Sequence, residues 1–121
     1  MEDNKESRVI VAGGRDFTDY PTLRDMLDKV LVNLENVVIV SGSAHGADRL
    51  GEQYAIQRGL KLVMFPADWE SNGKAAGPIR NRMMAEYSDY LMAFWDGKSK
   101  GTKNMIDTAQ ELGLQVRVKF Y

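Results

Sequence analysis

Residues Val37–Asp48 read VVIVSGSAHGAD, and this stretch decides the fold. Its first four residues form a continuous apolar run, which predicts a buried strand. The glycine-containing loop that follows precedes a stretch that we predict to be an amphipathic helix. A strand that ends in glycines and opens a helix is how an α/β protein presents backbone N–H groups to an anion. The stretch therefore predicts an α/β sheet with a phosphate-binding loop.

Five apolar strand candidates alternate with four helix candidates. We predict strands at 8–13, 37–41, 61–65, 90–95 and 115–120, and helices that begin near Asp19 and at 47–58, 78–87 and 102–112. Asp19 and Pro21 suit the start of the first helix, and Gly59 suits the end of the second. Strict alternation implies a parallel sheet covered by helices on both faces. The last strand has the most edge-like pattern.

Length and composition describe one ordinary globular domain. The 121 residues are 44% hydrophobic and 27% charged, which is enough for a single core. Residues 1–7 are polar, and we expect them to be disordered or loosely attached. We expect a single domain over residues 8–121.

Charge and residue counts argue against several classes of function. The net charge of −1 gives no overall field that would recruit nucleic acid, so we do not expect a nucleic-acid partner. With no cysteine and one histidine, we expect no metal site. No apolar run approaches the roughly 20 residues that span a bilayer, so we expect no membrane partner and a cytoplasmic location.

Four loops follow the carboxyl ends of the predicted strands, where ligands of such sheets bind. In the first loop, Gly13 and Gly14 would let a ligand approach the backbone, and Arg15 would supply charge. The alternative is a tight turn with a solvated arginine. The spacing is not the G-x-G-x-x-G pattern of dinucleotide-binding proteins.

The second loop, residues 41–48, differs from a Walker A loop. Its spacing is one residue short, and Ala47-Asp48 replaces Lys-Ser/Thr. Asp48 could accept a hydrogen bond from a sugar hydroxyl or cap the helix. His45 is an acid–base candidate, with a solvated loop histidine as the alternative. The binding candidates in this loop are Ser41, Gly42, Ser43, Gly46 and Asp48.

The third and fourth loops add aromatic and basic candidates. Trp69 could stack on a base or pin its loop, within the long segment 66–77 that we predict to be irregular. Lys74 and Arg80 lie near a predicted helix start, and Arg80 and Arg82 are too close in sequence to share a helix face. Residues 71–103 contain six basic and three acidic residues, which favours either an anion site or a solvated basic face. The fourth loop contributes Ser99, Lys100, Gly101 and Thr102.

Five motifs together resemble one family over about residues 8–121. They are GGRDF at 13–17, SGSAHGAD at 41–48, ADW at 67–69, GKAAGPIRNRMM at 73–84 and AFWDGKSKGT at 93–102. The chain resembles the YspA/YpsA-related branch of the SLOG superfamily. This resemblance implies a Rossmann-like three-layer sandwich with a five-stranded parallel sheet in the order 3-2-1-4-5. It also implies a phosphorylated nucleotide or nucleotide-derived ligand, and occurrence in bacteria and phages.

Relatives in the superfamily imply two activities. They are the Lonely-guy phosphoribohydrolases, which release a base from a nucleoside monophosphate, and DNA-processing protein A, which binds single-stranded DNA. The phosphoribohydrolases carry Arg-Lys-x-x-Met and Gly-Gly-x-Gly-Thr-x-x-Glu. This chain keeps Arg80, Met84 and Gly101-Thr102, but Met105 stands where their catalytic glutamate would be.

The missing glutamate favours binding over cleavage. Glycosidic cleavage needs a carboxylate, which Met105 lacks. Asp16, Asp48, Asp68 or Asp96 could substitute, and the spacing selects none of them. We therefore predict a ligand-binding module, a sensor or sequestering protein, with a phosphoribohydrolase-like hydrolase as the alternative and single-stranded nucleic-acid binding third. We expect no cofactor besides the nucleotide-derived ligand. The resemblance implies a homodimer, and seven methionines suit either such an interface or the core.

Overall fold

Five strands alternate with helices in the computed structural model, which describes residues 5–121. The strands are β1 (Ser7–Gly13), β2 (Val37–Ser41), β3 (Lys61–Met64), β4 (Tyr90–Trp95) and β5 (Gln115–Phe120). The helices are α1 (Tyr20–Leu31), α2 (Ala47–Arg58), α3 (Trp69–Asn72), α4 (Ala76–Tyr87) and α5 (Lys100–Glu111), and Gly73–Ala75 forms one 3-10 turn between α3 and α4.

The strands form one sheet in the order β3-β2-β1-β4-β5, and every neighbouring pair is parallel. The order confirms the expected Rossmann-like α/β arrangement. β5 lies at an edge, as its pattern predicted. The chain builds outward from β1 to β3 and then crosses back to β4. The loops after β1 and β4 therefore diverge and leave a crevice at the carboxyl edge of the sheet.

The central strand β1 is buried on both faces because a helical layer covers each side. Val9 and Val11 face α1 and α2, and Ile10 and Ala12 face α4 and α5. Phe94 is fully buried. Three methionines, Met84, Met92 and Met105, are buried in the core, and Met64 and Met83 are exposed. The homodimer stays a prediction.

Local signals in the sequence correctly predicted where α1 begins and where α2 ends. The Asp19 side chain accepts a hydrogen bond from the backbone N–H of Thr22 at 3.2 Å, and Pro21 lies in the first turn of α1. Gly59 ends α2 in the left-handed conformation, with φ of 66°, which glycine adopts without steric cost.

Three helical features differ from the prediction, besides shifts of one residue at the start of β1 and the ends of β3 and α5. The segment 66–77, which we predicted to be irregular, contains α3 and the 3-10 turn, because Asp68 caps Ser71 N at 3.1 Å. The turn continues into α4, so this helix begins at Ala76 rather than Pro78. α5 begins at Lys100 rather than Thr102. The carboxylate of Asp96 accepts both Lys98 N and Ser99 N at 2.8 Å and so completes the preceding turn early.

Two further predictions concern the beginning of the chain and the membrane. We predicted that residues 1–7 are disordered or loosely attached. Residues 1–4 lie outside the described residues, so for them this stays a prediction. Ser7 already belongs to β1, and Glu6 pairs with Lys61 at 2.9 Å. Within residues 5–121, no helix combines the length and apolar character needed to cross a membrane.

Candidate ligand-binding site

A cavity of about 290 Å³ lies in the crevice at the carboxyl edge of the sheet. We call it the main cavity. Arg15, Arg80 and Lys100 give it positive charge, and Met84 and Met105 give it an apolar wall. Its lining residues are Ala12, Gly13, Arg15, Ala44, Asp48, Trp69, Gly77, Pro78, Arg80, Asn81, Met84, Ser99, Lys100, Gly101, Thr102, Asn104 and Met105.

A second cavity of about 290 Å³ adjoins the first on the side of β2 and β3. We call it the side cavity. The two cavities share Arg15, Ala44, Trp69 and Arg80, so two guanidinium groups and an indole line both of them. The residues found in the side cavity alone are Gly42, Ser43, His45, Pro66 and Ala67.

The α5 start (residues 99–102) lines the main cavity, and the backbone N–H groups of its first turn have no intrahelical acceptor. Ser99 is the N-cap, but its hydroxyl lies 3.3 Å from Thr102 Oγ1, and within the described part of the chain no side chain caps this end. Lys100, Gly101 and Thr102 form the first turn. The N–H groups and positive dipole of a helix start favour an anion, so this turn is suited to a phosphate.

The α2 start (residues 46–48) is occupied by protein groups. The N–H of Ala47 donates to Gly14 O at 3.2 Å, and a Cβ on Gly46 would clash with that same carbonyl. The Asp48 carboxylate lies in the first turn and accepts the N–H of Ala44 at 3.2 Å. The loop after β2 therefore forms a wall of the site, and its helix dipole faces a carboxylate already in place.

Ser41 belongs to the interior of that wall. Its side chain is fully buried, donates to Glu52 Oε2 at 2.6 Å and accepts the N–H of Ser43 at 3.0 Å. Ser43 has φ of 64°, which lets the loop turn back toward α2. Ser41 fixes the loop and does not reach either cavity.

Arg80 and Asp48 set the electrostatics of the junction between the cavities. Arg80 Nη1 donates to the carbonyls of Gly42 and, at 3.5 Å, Phe65, and Nε donates to Asn81 Oδ1 at 3.0 Å. Burial raises the pKa of Asp48 to about 6, although the Ala44 N–H and the Arg80 charge act in the opposite direction. The junction thus combines a fixed cation with a carboxyl group that titrates at mildly acidic pH.

The two arginines of α4 point to different surfaces, as their spacing predicted. Arg80 lines both cavities, whereas Arg82 pairs with Glu86 at 3.5 Å and Glu111 at 3.7 Å. Residues two positions apart lie on different faces of a helix.

Asn81 and Asn104 are site residues that sequence reasoning missed. Asn81 is buried, and its Nδ2 donates to Asn104 Oδ1 at 3.0 Å and to Gly101 O at 3.4 Å. This network joins α4 to the α5 start. The available signal was a polar residue, Asn81, on the buried face of α4 that also carries Met84 and Ala85.

The structure brings most predicted binding residues together at this edge, but four lie elsewhere. Gly14 is covered by Tyr121 and α2, Ser41 and Gly46 lie inside the wall, and Lys74 is exposed on the 3-10 turn. Nine of the predicted residues line the main cavity: Gly13, Arg15, Asp48, Trp69, Arg80, Ser99, Lys100, Gly101 and Thr102. Gly42 and Ser43 line the side cavity.

Of the four aspartates considered as catalytic substitutes, Asp48 is the one that lines a cavity among the described residues. Asp16 accepts the Tyr121 hydroxyl, Asp68 caps α3, and Asp96 closes the turn before α5. Met105 is buried and gives the main cavity an apolar surface where a glutamate would act. Across residues 5–121, no cluster of acidic or histidine side chains is suited to a metal ion.

These features define a Rossmann-like α/β protein with a basic cavity at the point where the strand order reverses. The model of the YspA, cpYpsA-related SLOG family matches residues 7–71. The Gene 61 protein of Mycobacterium phage D29 is 35% identical over 116 residues, which cover 90% of this chain and 93% of that protein. The chain therefore belongs to the YspA, cpYpsA-related SLOG family, as the motifs predicted.

Two solved structures of DNA processing protein A share the fold. The protein from Streptococcus pneumoniae has a TM-score of 0.73 and 24% identity, over 97% of this chain and 51% of that one. The protein from Helicobacter pylori, described for its single-stranded DNA binding mode, has a TM-score of 0.71 and 22% identity, over 93% of this chain and 64% of that one. The chain thus spans between half and two thirds of their length.

The prediction that nucleic acid is not a partner is wrong as an exclusion. A protein with this fold, DNA processing protein A from Helicobacter pylori, has a single-stranded DNA binding mode. Net charge misled the prediction because it averages over the whole chain. Arg15, Arg80 and Lys100 are gathered at one edge of the sheet, where local rather than total charge acts on a phosphate.

Proposed function

We propose that the protein binds a phosphorylated nucleotide or nucleotide-derived ligand in the main cavity. The observation that carries this proposal is the uncapped α5 start, which faces the cavity beside Arg15, Arg80 and Lys100. Unpaired N–H groups and a helix dipole favour an anion, and arginine and lysine add charge-assisted hydrogen bonds. A phosphate at the α5 start would accept hydrogen bonds from its N–H groups and from Lys100, and Arg15 and Arg80 add positive charge to the same cavity.

Trp69 supports a base as the second part of the ligand. Its side chain is 52% exposed and lines both cavities, with the indole over Gly77. An exposed indole is suited to stacking because every base has a π-face. The ligand then has its phosphate at α5 and its base against Trp69.

The side cavity suits a ligand longer than one nucleotide. Arg15 and Arg80 stand where the two cavities meet, so a phosphate that links two units would lie between two guanidinium groups. Together the cavities fall within the usual size range of small-molecule sites. The ligand class is then a nucleotide with a second group attached through phosphate.

Binding without cleavage is the activity that these residues favour. Met105 offers no carboxylate for an oxocarbenium ion, and three of the four candidate aspartates accept hydrogen bonds within the protein outside the cavities. Asp48 is the carboxyl group to test as an acid, since its raised pKa suits proton donation. We propose a sensor or sequestering role, with base release as the alternative.

Calorimetric titration with four probes tests the proposal. Adenosine, inorganic phosphate, adenosine 5′-monophosphate and a 5′-phosphorylated deoxyadenosine dinucleotide separate the contributions of base, phosphate and second unit. We expect no binding of adenosine and the tightest binding of the dinucleotide. Lys100→Ala is expected to weaken the monophosphate about tenfold. Lys103→Ala is the matched control, because Lys103 pairs with Asp107 at 2.7 Å one turn further along α5.

The same experiment contains the results that contradict the proposal. Equal affinities for adenosine and its monophosphate would show that the phosphate contributes nothing to binding. Equal effects of Lys100→Ala and Lys103→Ala would mean that general charge, and not the α5 start, attracts the ligand. Release of adenine during incubation, lost in Asp48→Asn, would establish the hydrolase instead.

Single-stranded DNA is a second candidate, favoured by the fold shared with the Helicobacter pylori protein. Two adjoining cavities with an exposed indole between them also suit consecutive nucleotides. Fluorescence anisotropy with a labelled 20-nucleotide deoxythymidine strand would measure this directly. Strand binding predicts affinity well above that of the dinucleotide and a steep decrease with salt, because each phosphate contact releases counterions. Equal affinities of the two probes would favour the small ligand.

A further inference from the structure

Tyr121 folds back from the end of β5 onto the turn after β1. Its N–H donates to Trp95 O at 3.1 Å, and its ring centroid lies 4.8 Å from that of Phe17. Its hydroxyl donates to Asp16 Oδ1 at 2.6 Å. The contact therefore joins the last strand of the sheet to a loop that lines the ligand site.

The turn that Tyr121 contacts carries Arg15 and Asp16 at its tip. Phe17 N donates to Gly14 O at 3.2 Å and closes the turn, and Gly14 N donates to Phe94 O at 3.0 Å. The Tyr121 hydroxyl lies against Gly14 so closely that a Cβ there would clash with it. The turn is thus held by β4 and α2 on one side and by Tyr121 on the other.

An ion pair with the Asp16 carboxylate would occupy the Arg15 guanidinium and would compete with an anionic ligand for it. Arg15 lines both cavities, and across residues 5–121 its guanidinium has neither an ion pair nor a hydrogen bond. Consecutive arginine and aspartate side chains do pair in this chain, since Arg24 Nε contacts Asp25 Oδ1 at 3.0 Å. A released Asp16 carboxylate would be the nearest acid to Arg15 along the chain.

We propose that Tyr121 is a positioning residue of the ligand site, whose hydroxyl holds the Asp16 carboxylate and leaves Arg15 free for the anionic group of the ligand. This inference rests on the proposed function. Burial and the Asp16 hydrogen bond raise the pKa of Tyr121, so the hydroxyl keeps its proton across the physiological pH range. The hydroxyl therefore stays available as a donor to Asp16 across this range.

A set of four variants tests the proposal with adenosine 5′-monophosphate as the probe. Tyr121→Phe keeps the ring against Phe17 and removes the hydroxyl alone. We expect it to weaken binding roughly three- to tenfold, which is typical of coupled neighbours. In the Tyr121→Phe background, Asp16→Asn removes the competing charge, and we expect it to restore affinity. In an Arg15→Ala background, Tyr121→Phe is expected to have no further effect.

Thermal unfolding of the same variants separates positioning from a purely structural role. A structural role predicts that affinity follows stability, so Asp16→Asn would not rescue binding while the midpoint stays lowered. Wild-type affinity of Tyr121→Phe beside a weakened Arg15→Ala would overturn the positioning role and leave the proposed function intact. Failure of both Arg15→Ala and Lys100→Ala to weaken binding would overturn the proposed function itself.

Discussion

The α2 start and the α5 start follow similar glycine- and serine-containing loops at the same edge of one sheet, yet they differ in what faces them. At the α2 start, Gly14 O accepts the Ala47 N–H and Asp48 lies in the first turn. At the α5 start, the first turn is formed by Lys100, Gly101 and Thr102 and faces a cavity. One helix start is closed by groups of the protein itself, and the other lines an open cavity.

A glycine in such a loop either allows other protein groups to pack against the backbone or leaves open space beside it. Gly46 and Gly42 are small because protein groups approach them: Gly14 O in the first case, and the Arg80 guanidinium and Asp48 carboxylate in the second. Gly101 is different, since nothing described lies within 4 Å of a Cβ placed there. At Gly42 and Gly46 the missing side chain allows close packing within the protein, whereas at Gly101 it leaves open space beside the main cavity.

The largest expected effect is a loss of stability from Gly46→Ala. Its φ of 79° and the clash with Gly14 O both oppose a side chain, so we expect the free energy of unfolding to fall by about 3 kcal/mol. Urea unfolding measures the change. Gly59→Ala is the control, because φ is 66° but the space is open, and we expect a loss of about 1 kcal/mol. Equal losses would mean that the α2 start is not closed by Gly14.

Gly101→Asp should have the next largest effect, this time on binding. A carboxylate in the first turn of α5 complements the helix dipole but repels a phosphate, so we expect affinity for adenosine 5′-monophosphate to fall by about 2 kcal/mol. Gly101→Asn is the control, because its side chain has nearly the same size without the charge, and we expect it to weaken binding less than Gly101→Asp. Calorimetry and thermal unfolding are measured together. Unchanged affinity of Gly101→Asp would place the phosphate away from α5.

Asp48→Asn should change how stability depends on pH. Burial raises the folded-state pKa of Asp48 from 3.8 to about 6, so between these values the folded protein holds a proton that the unfolded chain releases. Stability is therefore expected to fall as pH rises through this window and to stay level above it. Asp48→Asn should abolish this fall, because an amide does not titrate, while its oxygen can still accept the Ala44 N–H.

Urea unfolding from pH 4 to pH 8 checks this expectation, with Asp107→Asn on the exposed face of α5 as the control. A parallel binding titration with the deoxyadenosine dinucleotide that lacks the 5′-phosphate asks whether the Asp48 carboxylate weakens anion binding. Its single internal phosphodiester does not titrate in this range, whereas a terminal phosphate would. A pH profile identical in wild type and Asp48→Asn would contradict the raised pKa.

The smallest effect that we predict follows from Trp69. Stacking by a half-exposed indole is expected to contribute about 1 kcal/mol, so Trp69→Ala should weaken the monophosphate several-fold and Trp69→Phe should retain part of the affinity. Ligand binding should quench Trp69 fluorescence, with Trp69→Phe leaving the Trp95 signal unchanged. Quenching that persists in Trp69→Phe would show that the base does not stack on Trp69.

The sequence predicted the fold well because its signals are local. The apolar run of β2 and the glycine that ends α2 determine their elements within a few residues, and alternation of strands and helices predicts a parallel sheet. The strand order was expected from the family resemblance and not from these local signals. The segment 66–77 was missed as a helix because a single aspartate, Asp68, caps it without any apolar periodicity.

The site was predicted in part. Topology places its loops at one edge of the sheet, but it does not show which polar groups of those loops are already bonded within the protein. Whether the α2 start is free depends on Gly14, more than thirty residues away in the chain, and no spacing rule reports that contact. Asn81 and Asn104 become site residues by meeting across two helices. Distant contacts of this kind decide which polar groups remain for a ligand.

The anchoring of Arg80 has a consequence for how affinity is divided among the three cations of the site. Its guanidinium is already ordered by the carbonyls of Gly42 and Phe65, so its conformational entropy is lost during folding rather than during binding. Arg15 and Lys100 are exposed and must be ordered when a ligand arrives, at a cost of up to about 2 kcal/mol each. Arg80 can therefore contact an anion with little further loss of side-chain entropy, whereas contacts from Arg15 and Lys100 must first offset that loss.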